Sequence, residues 1–585
     1  MVRTPGFHPG NRGFDSHWSH KMRSTILFST NNNNSDNTTK IETKSEILTD
    51  EISNLLTKYQ NICEKRAHSG GITIHVDEVA SQIAKIYEQI RKIIDWKEEN
   101  LLRRSAIERI IKRGMISKIS NITFLSNLNL DTLSETMVLE LIRGGHLRND
   151  SIPKEKIKEV KQILKKYLFI IENADIPSID IKKKINFYDW AMSIAACEIE
   201  DTLSPPLEEQ ALIETMTDLI NQRIKVIPTK SITAEEQRLQ TYIATYRTLY
   251  DLDDSIISYN LLKIKYNDWQ NPDKTTLQYI VKNIFKIQAD LSIELKHPLR
   301  KQFFNICEKY DTIFTIIEDI FKKYKNNSNE LNEIFADKIK LQELITEFYN
   351  LRFKSLKKRL LKLAVFSTLS VFVANWFTFF IVEIPLAHIF YEGFNPFATA
   401  VDFFVPSLAM FVIVSMIRPP GKSNLPELLA VTNKYVYINE DKDIYEIKIK
   451  KKKGLITRLT ISIFYLAACL TSFGLIAWAF YKATLPMTSV IFDTFTIALN
   501  VFAALVIRNK SREITVEEKT SFGEFILDIF SLPMAEIGSW IANKWKEYNI
   551  ISIFFNVAIE VPIISLISFV ESWRQFFKDK KADIH

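Results

Sequence analysis

The sequence predicts an all-α protein: a long helical cytoplasmic region followed by an α-helical membrane bundle of about four spans. Three observations predict it. Residues 363–382 (LAVFSTLSVFVANWFTFFIV) carry no charged side chain, and a run of that length crosses a hydrocarbon core of about 30 Å at about 1.5 Å per residue. Upstream, apolar residues recur at three- and four-residue steps, as in Ile83, Ile86, Tyr87, Ile90, Ile93 and Ile94, the stripe of an amphipathic helix. Pro153, Pro177, Pro205, Pro206, Pro228, Pro272 and Pro298 stand between the helical stretches, where a missing N–H and a fixed φ end helices.

A chain of 585 residues has room for several domains. Charged residues at 25% and aromatics at 12% exclude wholesale disorder and collagen-like repeats. A net charge of +7 is too small to indicate nucleic acid, and none is expected as a partner. Cys63, Cys197, Cys307 and Cys469 form neither a CxxC pair nor a ladder, so zinc ribbons and secreted disulfide scaffolds are set aside. No metal or cofactor is expected.

Residues 1–21 lack the apolar core of a secretory signal, and their Pro and Gly oppose the amphipathic helix of a mitochondrial presequence. Met22 offers an alternative start. The Asn31–Asn34 tract and the polar residues after it have nothing to bury, so 1–40 is expected to be disordered. Across 41–355, a short strand is expected at 72–76, then a helix opened by Asp77 and Glu78 and closed by Gly114. Further helices are expected near 44–65, 154–172, 187–201, 207–225, 234–262, 275–296, 299–325 and 329–360. The basic run Arg91, Lys92, Arg103, Arg104, Arg109, Lys112 and Arg113 is interleaved with Glu88, Asp95, Glu98, Glu99 and Glu108. That mixture reads as a solvated helix face more readily than as a grip on phosphates.

The four spans are expected at 363–382, 397–417, 455–481 and 485–507, forming a membrane domain over 356–510. Their flanks orient them. Lys354, Lys357, Lys358, Arg359 and Lys362 precede the first span; Arg418, Lys422, Lys448 and Lys450 to Lys453 lie between the second and third; Arg508, Lys510 and Arg512 follow the fourth. The two opposite loops carry only Lys482, so the positive-inside rule puts both termini in the cytoplasm. Trp376, Tyr391 and Trp478 suit an aromatic belt. Residues 435–450 alternate around Asn439, Glu440 and Asp441 and read as a small cytoplasmic β-hairpin. The remaining 511–585 reads as amphipathic or re-entrant, with a further span at 550–570 as the alternative. A crossing at 521–541 would carry Glu524, Asp528 and Glu536 into the bilayer at a cost of several kcal/mol. The general plan is that of bacterial inner-membrane proteins, an architectural likeness that transfers no residue role.

Glu383, Asp402 and Asp493 fall toward the outer third of the spans, and intramembrane carboxylates are functional candidates for ion or proton binding. His388 lies just beyond them, in a titration range useful to a relay. Glu560 joins them if 550–570 crosses. The plain alternative is a solvated interface for Glu383 and Asp402; Asp493 is harder to place there. Soluble signatures are weak: Gly421-Lys422-Ser423 lacks the first P-loop glycine, since residue 416 is Met. Glu294 and His297 form a lone ExxH without the second copy a di-iron site requires. Glu198, Glu200 and Asp201 beside Cys197 are expected to be a solvated helix end. No catalytic motif emerges. The expectation is a membrane-tethered interaction or scaffold protein, binding the bilayer and a protein partner through its helical domain. A small oligomeric transporter or channel using Asp493, Asp402 and Glu383 is the alternative.

Overall fold

The computed structural model describes residues 47–67, 73–76, 99–119, 129–175, 181–228, 232–385 apart from 326, 396–417, 419–438 apart from 422, 443–449, 454–483, 487–516 and 522–547, with a few isolated positions elsewhere. The helix expected over 83–94, His388 and Glu560 lie outside them, as do the 1–40 segment and the 550–570 run.

In chain order the helices are α1 (Asp50–Ala67), α2 (Glu99–Ile119), α3 (Leu130–Arg143), α4 (Glu155–Asn173), α5 (Ile181–Leu203) and α6 (Leu207–Asn221). Strand β1 (Ile224–Ile227) leads to α7 (Ala234–Tyr250), α8 (Asp254–Lys265), α9 (Lys274–Leu295), α10 (Arg300–Lys323) and α11 (Ser328–Ala336). Then come α12 (Lys338–Thr378), α13 (Pro396–Ser415), α14 (Asn424–Val436), β2 (Tyr445–Lys448), α15 (Leu455–Lys482), α16 (Met487–Ser511) and α17 (Phe522–Glu547).

Capping residues decide where several of these begin. The side chains of Asn129, Thr233, Asp253, Asp273 and Asp337 each accept from a backbone N–H of the helix they precede, satisfying donors that the first turn leaves open. The single helix expected over 234–262 is therefore two: Asp251 turns left-handed at φ 47° and Asp253 starts a new helix. Asp337 likewise divides the stretch expected over 329–360. Gly114 does not close its helix, which continues to Ile119. A Cβ there would come within 2.8 Å of Leu133 Cδ1, so this glycine permits the close approach of α2 and α3. Residues 73–76 are extended, with Thr73 bridged to Pro153.

Two apolar cores organise the helical half. One joins α2 to α5 with α8 and α9, through residues such as Ile107, Val138, Leu164, Ala195, Leu261 and Ile284. The other joins α1, α6, α10, α11 and the first half of α12. Helices α6 and α7 lie between them: Ile213 and Tyr246 face the first core, Met216 and Ala244 the second. The second core also takes in Leu428, Tyr435, Val436, Ile447, Ile514 and Val516, from the connections before β2 and after α16. It is therefore the lobe next to the bundle, and the first is the distal lobe.

The strand pairing corrects the expected hairpin. Tyr435 and Val436 end α14, Tyr437 bridges Leu48, and β2 pairs in parallel with β1, Ile224 opposite Tyr445 through Ile227 opposite Lys448. The alternation at 445–448 does mark a strand. Its partner is set by the burial of Val226 and Ile447 in the proximal core, not by nearness in sequence.

Three helices are long and apolar enough to cross a membrane, over Lys338–Ile381, Ile456–Lys482 and Ser489–Ser511, with a shorter apolar helix at Phe404–Ser415. Phe380, Phe411, Phe464, Leu470 and Trp478 are exposed on them, as lipid-facing side chains would be. Helix α12 passes without interruption from the proximal core into this bundle. Helix α17 lies lengthwise and antiparallel on α16. Arg508 pairs with Asp528 at 2.6 Å, and ten residues further along α17 a Cβ on Gly538 would sit 2.4 Å from the Ala498 carbonyl oxygen.

Candidate functional site

Helices α12, α13 and α16 meet along one buried seam. On α12 its stripe is Leu363, Ser367, Asn375 and Phe379, spaced at intervals that share a helix face. On α13 it includes Ser407, Met410 and Val414; on α16, Ser489, Asp493, Asn500, Ala504 and Ile507. Leu363, Met410, Val414, Ala504 and Ile507 pack as one apolar cluster at the end of the seam nearest the proximal lobe, called inward here. The polar members gather outward of it.

The contacts fix the register. Asn500 Nδ2 donates to the Pro406 carbonyl at 3.0 Å, and Met410 and Val414 accompany Ala504 and Ile507, so α13 and α16 run parallel. Phe372 and Phe404 rings meet at 6.2 Å, so α12 runs opposite to both. In this register Asp402 and Asn375 lie at one level, about one helical turn inward of Asp493. Glu383, in the π-helical turn Phe379–Glu383 that follows α12, lies eight residues beyond Asn375, about 12 Å further out. The three carboxylates expected at similar depth are thus divided: the structure brings Asp493 and the backbone of Asp402 together and leaves Glu383 nearer the end of the bundle.

Asp493 is 4% exposed. Asn375 is 9% exposed, and its Nδ2 has no hydrogen-bond partner among the described residues. Pro406 lies inside α13 and brings no N–H to the carbonyl four residues earlier, that of Asp402. The seam therefore offers a carboxylate, a carboxamide and a released backbone carbonyl within about two turns. Sequence reasoning found Asp493 and missed Asn375, Ser407 and Asn500. The available signal was spacing: Asp493 and Asn500 are seven residues apart, two turns along one face.

A second polar cluster lies inside the distal lobe and corrects two expectations. Glu198 is buried, not solvated: it pairs with buried Lys166 and accepts from the Tyr167 hydroxyl at 2.7 Å. Trp269 Nε1 donates to that hydroxyl, and Lys166 Nζ also donates to the Trp269 carbonyl at 2.8 Å. Burial pulls the Lys166 ammonium below its ordinary value and pushes the Glu198 carboxyl up. Asp201 accepts from Lys263 and Tyr259. Of the basic run where described, Arg104 is buried and Arg103, Arg109, Lys112 and Arg113 are half-buried. Arg104 is buried against Glu108, Asp253 and Ser193; Lys112 meets Glu108 and Asp189; Arg113 meets Glu140. These groups answer one another, which suits a brace between α2, α4, α5 and α8.

The ExxH residues part company: Glu294 pairs with Lys265, while His297 faces Glu236. Among the described residues no group of three or more His, Cys, Asp or Glu side chains is arranged to hold a metal ion. Comparison of the chain with family models, curated proteins and solved structures gives no match.

Proposed function

We propose that the chain is an integral membrane protein whose helical region stands on the cytoplasmic face and docks a protein partner, with the spans as its anchor. The observation that carries this reading is the distal lobe. It has an apolar core of its own that shares no residue with the bundle, yet it is held through α6 and α7 on a proximal lobe built around α12 and two connections, the one that follows α13 and the one that follows α16. A surface so held is fixed relative to the bilayer. On it, Tyr279, Lys286 and Ile293 form an exposed stripe of α9, and the Phe187–Phe285 ring contact at 5.0 Å packs α9 on α5. Exposed Lys183 and Lys282 flank these apolar groups. An apolar centre with a rim of mixed charge, Asp290 being exposed beside Lys286, suits a protein partner.

The orientation follows from charge. The basic residues at 354–362, Lys448 and those at 508–512 adjoin the proximal lobe, and the positive-inside rule makes that side cytoplasmic, in a bacterial inner membrane on our reading. Because α17 lies along α16 for much of its length, we also read it as crossing the layer.

The test is capture of partners from native membranes in mild detergent, with wild-type full-length bait beside the double variant Tyr279→Glu, Ile293→Glu. A stoichiometric protein held by wild type and lost from the variant supports docking through this face. Equal recovery by both, or none by either, removes it. The polar seam favours a second reading, a small oligomeric transporter or channel using Asp493.

A further inference from the structure

We propose that the outward face of α12, where Lys354, Lys357 and Lys358 stand between Leu351 and Leu361, binds the headgroups of anionic phospholipid. The proposal rests on the reading of the chain as membrane-spanning and is independent of partner docking and of the polar seam.

The first ground is how α12 divides its basic residues. The helix runs unbroken from Lys338 to Thr378, and from Phe348 to Val382 the chain carries no Asp or Glu. Arg352 and Arg359 share one side of it. Arg352 pairs with Asp319 of α10, and Arg359 with Glu513 in the segment after α16. Leu356, between them, is buried in the proximal core. On the opposite side Leu351, Lys354, Lys358, Leu361 and Val365 recur at three- and four-residue steps, and all are exposed. Exposed Lys357 flanks them, its ammonium 4.7 Å from the centre of the Phe353 ring.

The acids around this face are engaged elsewhere or distant. Glu347, on the same face about 10 Å farther from the bundle than Lys354, is held by Lys323 at 2.9 Å; Glu343 is about 16 Å farther. On α10, Glu318 pairs with Lys322 at 2.9 Å, and Asp311 accepts from Thr315 at 3.2 Å. Glu427 of α14 is itself engaged. Asp402, Asp493 and Glu383 lie about 25 Å or more beyond Lys358 along the bundle. Among the described residues, Lys354, Lys357 and Lys358 form no ion pair.

The second ground is level, and it names the ligand. Lys357 and Lys358 stand six and five residues before Leu363, where the uncharged run begins, about 8–9 Å along the axis, and Lys354 about 14 Å. The headgroup layer extends roughly 5–8 Å beyond the hydrocarbon on each side, and a lysine stem reaches down to it. The same face continues into exposed Val365, Phe366, Leu369 and Phe372. A phospholipid lying along α12 therefore meets ammonium groups at its head and apolar side chains beside its tails. Compact ammonium groups suit a phosphate as point charges, whereas the two guanidinium forks serve protein carboxylates. Each lysine near an anionic leaflet is worth about fivefold in affinity.

The experiment offers the full chain, in neutral detergent, equal amounts of phosphatidylglycerol and phosphatidylcholine and counts retained lipids by native mass spectrometry. Wild type should hold phosphatidylglycerol over phosphatidylcholine at least tenfold. The triple variant Lys354→Gln, Lys357→Gln, Lys358→Gln should bring that ratio below threefold. A charge-matched triple at exposed lysines of the distal lobe, Lys154→Gln, Lys158→Gln, Lys165→Gln, should stay within twofold of wild type. All six side chains are exposed, so both triples should unfold at the wild-type midpoint. No preference in wild type, an unaltered ratio in the α12 triple, or equal losses in both triples overturns the proposal. Displacement of phosphatidylglycerol by inorganic phosphate at matched concentration would make the patch a soluble-anion site and also overturn it. A chain that stays monodisperse without detergent would instead remove the membrane reading itself, whereas a detergent-dependent chain without the preference removes the lipid patch alone.

Discussion

Asn424 ties the proximal lobe to the segment that leaves the apolar bundle. It opens α14, on the connection between the second and third apolar helices, and is 4% exposed. Its Nδ2 donates to the Ile514 carbonyl at 2.7 Å and to the Tyr349 hydroxyl at 3.0 Å, and its Oδ1 accepts from Val516 N–H at 3.0 Å. One carboxamide thus ties α12, α14 and the chain leaving α16. Asn424→Ala would strand a buried carbonyl, a buried N–H and a hydroxyl at once. At about 1–3 kcal/mol for each unsatisfied group, with partial relief from water entering the vacated space, the loss is about 3 kcal/mol. Tyr349→Phe removes a single one of these bonds and should cost about 1 kcal/mol. Urea unfolding of the purified protein in mild detergent, followed by tryptophan fluorescence, measures both. Limited proteolysis reports whether the chain after α16 has come loose. If Asn424→Ala lies within about 1 kcal/mol of wild type, or matches Tyr349→Phe, the three connections are not held through this side chain, and the rigid coupling drawn from it is wrong.

Lys166→Met leaves Glu198 buried without its cation and should destabilise the distal lobe by about 3–5 kcal/mol, while Lys166→Met with Glu198→Leu should recover much of that loss; thermal unfolding of the pair distinguishes the two. Gly538→Val drives a side chain into the Ala498 carbonyl and Phe502 Cβ, 2.4 and 2.8 Å from the glycine's ideal Cβ. It should detach α17 from α16, read as lost crosslinking between cysteines placed at 508 and 528, where the native side chains meet, whereas retained crosslinking would contradict the packing. Burial pushes the Glu200 and Glu209 carboxyls up to about 7, so the folded protein binds protons that the unfolded chain has released. Stability is then highest below the unfolded value near 4.5 and falls as pH rises toward about 7, by up to about 3 kcal/mol per group. Glu209→Gln should flatten that fall, and an unchanged pH profile would count against the buried carboxyl.

The helices and most span positions were legible because their signals are local. An uncharged run at 363–382, prolines between amphipathic stretches and lysines at one end of each hydrophobic pair need no knowledge of the rest of the chain. What escaped was the choice of distant partners. The strand at 445–448 alternates as a strand should, but nothing near it announces Ile224–Ile227, because what joins them is a shared apolar core. Glu198 and Arg104 read as solvated for the same reason: a charge on a helix is ordinarily at the surface, and only Lys166 on the apolar face of α4, between Ile163 and Ile170, hinted that a buried carboxylate awaited it. Gly114 shows the converse error, a residue common at helix ends placed mid-helix because a neighbouring leucine requires the space.

The seam followed the same logic. Asp493 stood out alone, since a charge in a span is conspicuous by itself. Asn375 became meaningful only when the fold set it level with the carbonyl that Pro406 releases, on a helix more than a hundred residues away from Asp493. A chain whose proximal lobe is built around the segments between its apolar helices then has a physical route between lobe and bundle. Helices α12 and α16, which line the seam, are continuous with residues of the proximal core, Leu356 on one and Ile514 just beyond the other. A change at Asp493 that shifts α16 against α12 must therefore strain the Asn424 clamp. The packing of α16 on α12 and the hold of the bundle on the proximal lobe are in that case coupled, and the Asn424→Ala protein is where that coupling should first fail.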